Sequence, residues 1–598
     1  MDANTVGQAH ALLRRGDISG AIGLLRGALT ATPAQPQSLK LLARLALREQ
    51  QSALAASALE RAQAALPDDA EIHALRAAAA KIAGDIDALV PAARHALTLD
   101  PGEPLAAALL TEALRDRLQL GEALAVADAC LARRPHDWGT RLARADVLQF
   151  AGEAAAAAAD ARHTLDHAPS LQAITFACQS LLYLDEPALD EPARDESAPA
   201  APADGAPAAA ILARHRELAA RIPPLRLPPP RDTGWRPGQR PLRVALLSPD
   251  LRRHPVGMFV EPLLAGWDRD RVAPICYSDG QPDATTQRLR ALCPQWRDLR
   301  GQPDEAVARQ LHEDGIDVLL DLAGHTHGSR PRLLASRCVP RQLGWLGYLF
   351  DSGYASSDGV IGDAATLPEG TSSARQAWRL PGSLLCLPQI QDAPDVVARA
   401  SSGAPVFGSF NHLAKLSPRT VALWARVLAA VPGSRLVLCA LGLADAPTRE
   451  RIGARFAAAG VDPDRLQLRP PVLDPQAFLS QYADIDIALD PLPFNGGTTT
   501  LQALWQGVPV VSLPGERMAA RTGLSLLDAA GLAQGPERLV ARDRGDYVRI
   551  AAGLAEDGAR RARLRGSMRE RLLDSGLCDG RRFADGFATL LESATSTL

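Results

Sequence analysis

The sequence predicts an all-α repeat array followed by an α/β region built as two facing, doubly wound halves. Two periodicities carry this expectation. Pro33, Pro67, Pro101, Pro135 and Pro169 lie 34 residues apart, the mark of a stacked repeat. From Pro241 onward short apolar runs alternate with helical stretches, the texture of parallel sheets covered by helices. Size agrees, because 598 residues exceed what one hydrophobic core supports and a 47% hydrophobic content suffices for several.

The repeat comes first along the chain. Positions 21, 55, 89, 123 and 157 read Ala, Ala, Leu, Ala and Ala, positions 28, 62 and 96 are Ala, and 130 is Cys. Small residues at fixed places let two helices approach closely, and the proline ends the second of them. Gly16, Gly84 and Gly152 hold the turn in three units, with Gln50 and Leu118 in the other two. The period is that of tetratricopeptide repeats, assigned to residues 1–184. Such units stack into a superhelix whose concave face commonly holds a peptide or a partner protein.

Residues 185–240 read as a linker. The Ala/Pro/Asp/Gly run through Pro207 has the composition of a linker or mobile insertion, and residues 210–220 are expected to form one connecting helix. Strands then follow at Leu242–Leu247, Val318–Leu322 and Gln342–Leu346, and again at Val406–Phe410, Leu436–Leu441, Ile485–Leu489 and Val508–Leu513. These divide into two Rossmann-like domains, 241–400 and 401–598, with the proline-rich stretch Pro388–Pro405 at their boundary.

Composition narrows the function. A formal net charge of −3 implies no strongly basic face and argues against nucleic acid as a partner. The eight cysteines include no Cys-x-x-Cys pair, which fits reduced thiols in a cytoplasm. The first residues lack a basic region followed by an apolar run, and no stretch is long and apolar enough to span a bilayer. Neither a signal peptide nor a membrane segment is expected.

Two loops stand out by composition. Lys40, Lys81 and Lys415 are the only lysines among 65 basic residues, and Asn4, Asn411 and Asn495 are the only asparagines. Three of these six fall in Phe410-Asn411-His412-Leu413-Ala414-Lys415 and Asn495-Gly496-Gly497-Thr498-Thr499-Thr500. In the second loop, Thr498 opens a helix, where unpaired N–H groups and the positive dipole end accept an anion. Gly496 and Gly497 let a phosphate approach the backbone. The threonines alone could be helix caps; together with the glycines they favour phosphate. Lys415 precedes Ser417-Pro418, a helix cap and first-turn proline, and reaches the same crevice. A lysine and a helix amino terminus can stabilise a departing diphosphate, and the sequence offers no metal-ligand cluster. Asp484 and Asp486 read as strand-edge residues.

In the first half, the strand Leu242–Leu247 runs into Ser248 to Gly257, which puts His254 at a strand's carboxyl end as a general base or a hydrogen-bonding group for substrate. His325 and His327, in Gly324-His325-Thr326-His327-Gly328, hint at a metal, but no third ligand is evident.

Taken together, Ser248 to Gly257, Asp321 to Gly328, Trp345-Leu346-Gly347-Tyr348, Phe407 to Leu416 and Leu489 to Gly515 resemble the bacterial branch of the O-linked N-acetylglucosamine transferases and their SPINDLY relatives. The resemblance covers nearly the whole chain. It implies tetratricopeptide repeats ahead of a GT-B glycosyltransferase, inverting and independent of metal or other cofactor, that moves N-acetylglucosamine from UDP-GlcNAc to Ser or Thr of proteins. It also implies that His254 is the active-site histidine, Lys415 the diphosphate-binding lysine, and Thr498 and Thr499 the phosphate-contacting threonines.

Some positions depart from the animal members of that family. Gln502 stands where they carry a carboxylate for the ribose, Phe478 where a histidine meets the uracil, His412 for an amide and Gly497 for a histidine, while Leu349-Phe350-Asp351 interrupts a Pro-Gly-Thr loop. Phenylalanine still stacks on a base and glutamine still donates and accepts. The candidate set is therefore His254 and Lys415 for catalysis, with Asn411, His412, Phe478, Asn495, Gly496, Gly497, Thr498, Thr499 and Gln502 for the donor. A related transferase using UDP-glucose or GDP-fucose, and a repeat scaffold with an inactive catalytic half, are the alternatives.

Overall fold

The structure is a computed structural model that describes residues 2–33, 35–185, 206–230, 234–388, 390, 393–398 and 404–596. Most of the linker run through Pro207 lies outside the described residues. The chain forms two compact units, Met1–Ala168 with Ala444–Thr448, and Pro169–Leu443 with Arg449–Leu598.

The first unit is a row of helical hairpins. Helices Ile18–Ala31, Ser52–Ala65, Ile86–Leu99, Leu120–Arg133 and Ala154–His167 each end two residues before one of the periodic prolines, which lack the N–H and the ring clearance to continue a helix. Each follows a partner helix: Asp2–Arg14, Pro36–Arg48, Ala70–Ala83, Pro104–Asp116 and Trp138–Phe150. Ala21, Ala55, Ala123 and Ala157 are wholly buried, as are Ala62, Ala96 and Cys130. Each turn between partners needs one left-handed residue: Gly16, Gly84 and Gly152 take φ of 79, 73 and 87°, and Gln50 and Leu118 take 57 and 59°. For an L side chain that conformation costs about 1 to 2 kcal/mol.

The second unit carries two sheets. The first contains β1 Leu242–Ser248, β2 Val272–Ser278, β3 Trp296–Asp298, β4 Val318–Asp321, β5 Arg341–Gly344, β6 Val360–Asp363 and β7 Ala377–Leu380, in the order β3-β2-β1-β4-β5-β6-β7 and parallel throughout. The second contains β8 Val406–Ser409, β9 Arg435–Cys439, β10 Leu466–Arg469, β11 Ile487–Leu489 and β12 Val510–Val511, also parallel, in the order β10-β9-β8-β11-β12. This is the GT-B arrangement of two Rossmann-like halves. In each sheet the strand order reverses once, between β1 and β4 and between β8 and β11, and ligands of open α/β sheets bind in the crevice at such a switch point.

All seven strands expected from the sequence are present, and five more join them: β2, β3, β6, β7 and β10. β2 contains Pro274, and β3 and β10 are edge strands, so neither alternation nor a long apolar run marks them. Helix Ala206–Ala219 follows the linker. The last helix, Gly580–Ser596, crosses back to the first half, where Phe587 meets Trp345 edge-on at 4.7 Å and Arg271 pairs with Glu592 at 2.7 Å. Across the two halves, Ser373 Oγ donates to the Glu516 carbonyl at 2.9 Å and Arg521 Nε to the Ala365 carbonyl at 2.6 Å. Among the described residues no helix is long and apolar enough to cross a membrane.

The turn geometry makes a prediction. Gln50 is exposed, so Gln50→Gly removes strain without removing packing and raises the stability of its hairpin by about 0.5 to 1 kcal/mol, whereas Gly84→Ala lowers its own by about 1 kcal/mol. Hydrogen-exchange protection of the flanking helices in the full chain measures both; equal protection in Gln50→Gly and wild type would contradict the strain argument.

Candidate active site

Candidate residues follow the strands at both reversals of strand order. In the second half, β8 feeds a tight turn, Leu413–Lys415, capped by His412, whose Nδ1 accepts the Ala414 N–H at 3.1 Å. The turn directs Lys415 toward the loop after β11, where its ammonium donates to the Asn495 carbonyl at 2.8 Å and lies 4.2 Å from the centroid of the Phe494 ring. Burial pushes the Lys415 ammonium down to about 8, and the carboxylate of Asp490 works in the opposite direction.

The loop after β11 is shaped by Asp490. This carboxylate is 1% exposed; one oxygen accepts the Gly496 N–H at 2.6 Å and the other the Ser512 hydroxyl at 2.5 Å. Gly496 is required by space as well, because a Cβ there would lie 2.5 Å from Thr500 Oγ1 and 2.8 Å from Thr499 Oγ1. At Gly497 the nearest atoms are 3.6 Å away and φ is negative, so that position accepts a side chain. Gly497 is the cap of helix Thr498–Trp505 and supplies no side-chain hydrogen bond to it. The first-turn N–H groups thus meet the loop without a side-chain cap, the condition under which a helix start receives an anion.

The two loops are tied together. Thr499 Oγ1 donates to Asn411 Oδ1 at 2.9 Å, and Asn411 Nδ2 donates to Ser409 Oγ at 3.2 Å. Thr498 and Thr499 are half-buried, and Gln502 is half-buried one helical turn after Thr498. Asn495 is different. Its side chain is fully buried and donates to the Pro491 carbonyl at 2.9 Å, so it is the backbone of Asn495 that reaches the lysine. Phe478, on helix Pro475–Ser480, joins an aromatic triad, 5.9 Å from Phe410 and 6.0 Å from Tyr482, and Tyr482 donates to the Thr499 carbonyl at 3.2 Å.

In the first half, β1 delivers His254 to the start of helix Pro255–Gly266. Its Nδ1 accepts the Val256 N–H at 3.3 Å, with Asp250 at 3.8 Å. With Nδ1 accepting, the neutral ring carries its proton on Nε2, a hydrogen-bond donor. The side chain is 41% exposed, yet surrounding atoms depress its pKa below the ordinary value, assisted by Arg252 and opposed by Asp250. Asp321, at the end of β4, accepts the N–H groups of Ala323 and Gly324, both at 2.9 Å, and burial pushes it up to about 6. His325 is buried, with Nε2 on the Ser352 carbonyl at 2.7 Å and Nδ1 on the Tyr354 hydroxyl at 3.2 Å; both nitrogens are occupied within the fold. His327 is exposed.

Sequence reasoning did not single out Asp490 or Phe494. The signal for Asp490 was present: a carboxylate closing an apolar strand directly before a Pro/Gly loop.

The chain matches the family model of glycosyl transferase family 41 over residues 202–377 and 395–587. It is 35% identical over 376 residues to a Solanum lycopersicum protein named probable UDP-N-acetylglucosamine–peptide N-acetylglucosaminyltransferase SPINDLY, covering 61% of this chain and 40% of that one. It is 25% identical over 475 residues to the UDP-N-acetylglucosamine–peptide N-acetylglucosaminyltransferase of Caenorhabditis elegans, covering 59% and 40%. The chain thus spans about two fifths of the length of these curated relatives. A solved O-GlcNAc transferase mutant of Thermobaculum terrenum superposes with a TM-score of 0.78 at 31% identity, covering 88% of this chain and 98% of that one.

The two neighbouring glycines should respond differently to a methyl group. Gly496→Ala forces overpacking against Thr499, Thr500 and Asp490 and costs about 1 to 3 kcal/mol, while Gly497→Ala leaves stability within about 0.5 kcal/mol. Thermal melts of the two variants decide it; equal melting temperatures would mean that the loop relaxes freely.

Proposed function

Because the chain belongs to glycosyl transferase family 41, we propose that it moves N-acetylglucosamine from UDP-N-acetylglucosamine to serine or threonine hydroxyls of proteins, with inversion and without a metal ion. The observation that carries the reading is the convergence of the Lys415 ammonium and an uncapped helix start on one loop, with the lysine 2.8 Å from the Asn495 carbonyl. The proteins it resembles carry the same activity in their names.

In this reading the acceptor oxygen attacks the anomeric carbon, the bond to the diphosphate oxygen breaks, and the electron pair leaves with UDP. Negative charge grows on the diphosphate as that bond breaks. Lys415 and the N–H groups at Thr498 and Thr499 meet it without reorganising, the most effective way to lower such a barrier. His254 serves as a hydrogen-bond donor through Nε2 to the reacting groups, a role its accepting Nδ1 favours over that of a base. The acceptor's proton passes to solvent or to a donor oxygen. Protein acceptors are held by the repeat array, and the enzyme works in the cytoplasm. The departures at Gly497 and Phe478, where the animal members of the family carry histidine, also support a second reading, a transferase for UDP-glucose or GDP-fucose.

Single-turnover transfer to protein from each of the three donors, with calorimetry of UDP and GDP, tests the proposal; a folded protein that binds neither nucleotide and transfers no sugar overturns it. Lys415→Ala should slow transfer a few hundredfold, equivalent to about 3 to 4 kcal/mol of transition-state stabilisation, and Lys415→Arg should rescue poorly, since a planar fork directs its donors differently. The sign of the pH dependence follows from burial: the lysine is charged below about pH 8 and loses its proton above it. The wild-type kcat/KM, which reports free-enzyme ionisations, should therefore fall as pH rises through that value. A limb of the same position in Lys415→Arg would assign it to another group.

A further inference from the structure

We propose that Tyr183, on the segment following helix Leu171–Leu181, is a positioning residue for Lys415 and acts through the ring of Phe494. The inference rests on the reading above, in which Lys415 meets the donor diphosphate. Tyr183 and Phe494 stack with ring centroids 5.3 Å apart and planes 14° from parallel. Phe494 in turn lies 4.2 Å from the Lys415 ammonium. A cation against an aromatic ring within about 6 Å is held by the ring quadrupole, so the place of the ring helps set the place of the charge.

Phe494 has no regular element of its own, since it lies between β11 and the helix that starts at Thr498. A loop side chain needs an external partner to hold one orientation, and Tyr183 supplies it. Tyr183 is itself held through its neighbours. Arg517 Nη1 donates to the carbonyls of Leu184 at 2.8 Å and Leu181 at 3.3 Å, and the Asp185 carboxylate accepts the Arg419 N–H at 3.4 Å. Just upstream, the Cys178 carbonyl accepts the Tyr348 hydroxyl at 2.9 Å. The segment from Cys178 to Asp185 therefore grips the first half at Tyr348 and the second at Arg517 and Arg419, and between these anchors it presses one ring onto the loop that holds the lysine. Phe494 also packs beside the apolar cluster of Leu182, Ile211, Leu212, Tyr348 and Phe350, a second hold on its ring.

The scarcity of lysine makes a direct test practical. Reductive methylation with ¹³C-formaldehyde labels Lys40, Lys81, Lys415 and the terminal amine. Lys40 and Lys81 are paired with carboxylates, Asp69 and Glu71 for the first and Glu112 for the second, so the signal displaced by ring current is that of Lys415. Phe494→Leu should abolish the displacement, Tyr183→Leu should reduce it, and Tyr183→Phe should keep it. In parallel, Phe494→Leu and Tyr183→Leu should lower kcat by about threefold to thirtyfold, the span of a cation–ring contact, with the donor KM nearly unchanged and Tyr183→Phe close to wild type. Tyr183→Met replaces the leucine variant should that protein not fold. An unmoved Lys415 signal in Tyr183→Leu, or equal losses in Tyr183→Phe and Tyr183→Leu, would overturn the proposal. A wild-type protein without transfer activity would instead overturn the glycosyltransferase reading, and the methyl signals would still decide the positioning.

Discussion

The site depends on one carboxylate buried where an apolar strand stops. Asp490 closes β11 with almost no exposed surface, and a charge in that position is tolerated only when its oxygens are satisfied. Gly496 N–H and the Ser512 hydroxyl satisfy them, and Tyr547 donates to the Asp490 carbonyl at 3.1 Å. These bonds bend the chain back on itself immediately after the strand. The bend aims the start of helix Thr498–Trp505 into the crevice and turns the Asn495 carbonyl toward Lys415. Burial still pushes Asp490 up to about 6, while the Lys415 ammonium pulls it down. Acid and base therefore restrain one another across the loop.

The first half repeats the device. Asp321 closes β4 as Asp490 closes β11, is likewise pushed up to about 6 by burial, and likewise folds the following loop by accepting backbone N–H groups. The neighbouring strand on the other side of each reversal, β1 or β8, delivers the side chain of chemical interest, His254 or Lys415. Two halves built on one plan thus present one carboxylate-shaped loop and one candidate side chain each. The difference lies in the charge they offer: a cation with an uncapped helix start in the second half, and a neutral imidazole in the first.

Much of this was visible in the sequence wherever a feature was local. The proline period gave the hairpins and even the turn residues, because one left-handed position recurs every 34 residues whether or not glycine fills it. Strands marked by apolar runs before glycine- or proline-rich loops were found, and with them the loops of Lys415, Thr498 and His254. Features set by distant contacts were not visible. Asn495 attracted attention as a rare amide, yet its side chain turns inward and only its carbonyl faces the lysine, a distinction no residue type encodes. Phe478 read as a platform for a base, whereas its ring also completes a triad with Phe410 and Tyr482. Tyr183 lies on the far side of the linker from Phe494, and only the folded chain brings the two rings together.

The division between arginine and lysine in this chain follows from the same geometry. Arginine ties backbone to backbone. Arg517 bridges Leu181 and Leu184, Arg330 reaches the carbonyls of Leu299 and Gln302 while pairing with Asp279 and Asp304, and Arg465 gathers those of Leu428, Val431 and Ser434. A planar fork with five fixed donors suits that work, and its charge is permanent. At position 415 the demands differ. The group lies between the Asn495 carbonyl and the face of the Phe494 ring, within one turn of the chain. A compact ammonium on a flexible stem fits there, where the planar fork of a guanidinium is bulkier and directs its donors differently. The position is also buried enough to depress the group's pKa, so the charge is held at a cost that an approaching anion would relieve. In a composition that otherwise selects arginine, the single lysine beyond residue 200 stands where a small cation meets a backbone carbonyl and a ring face.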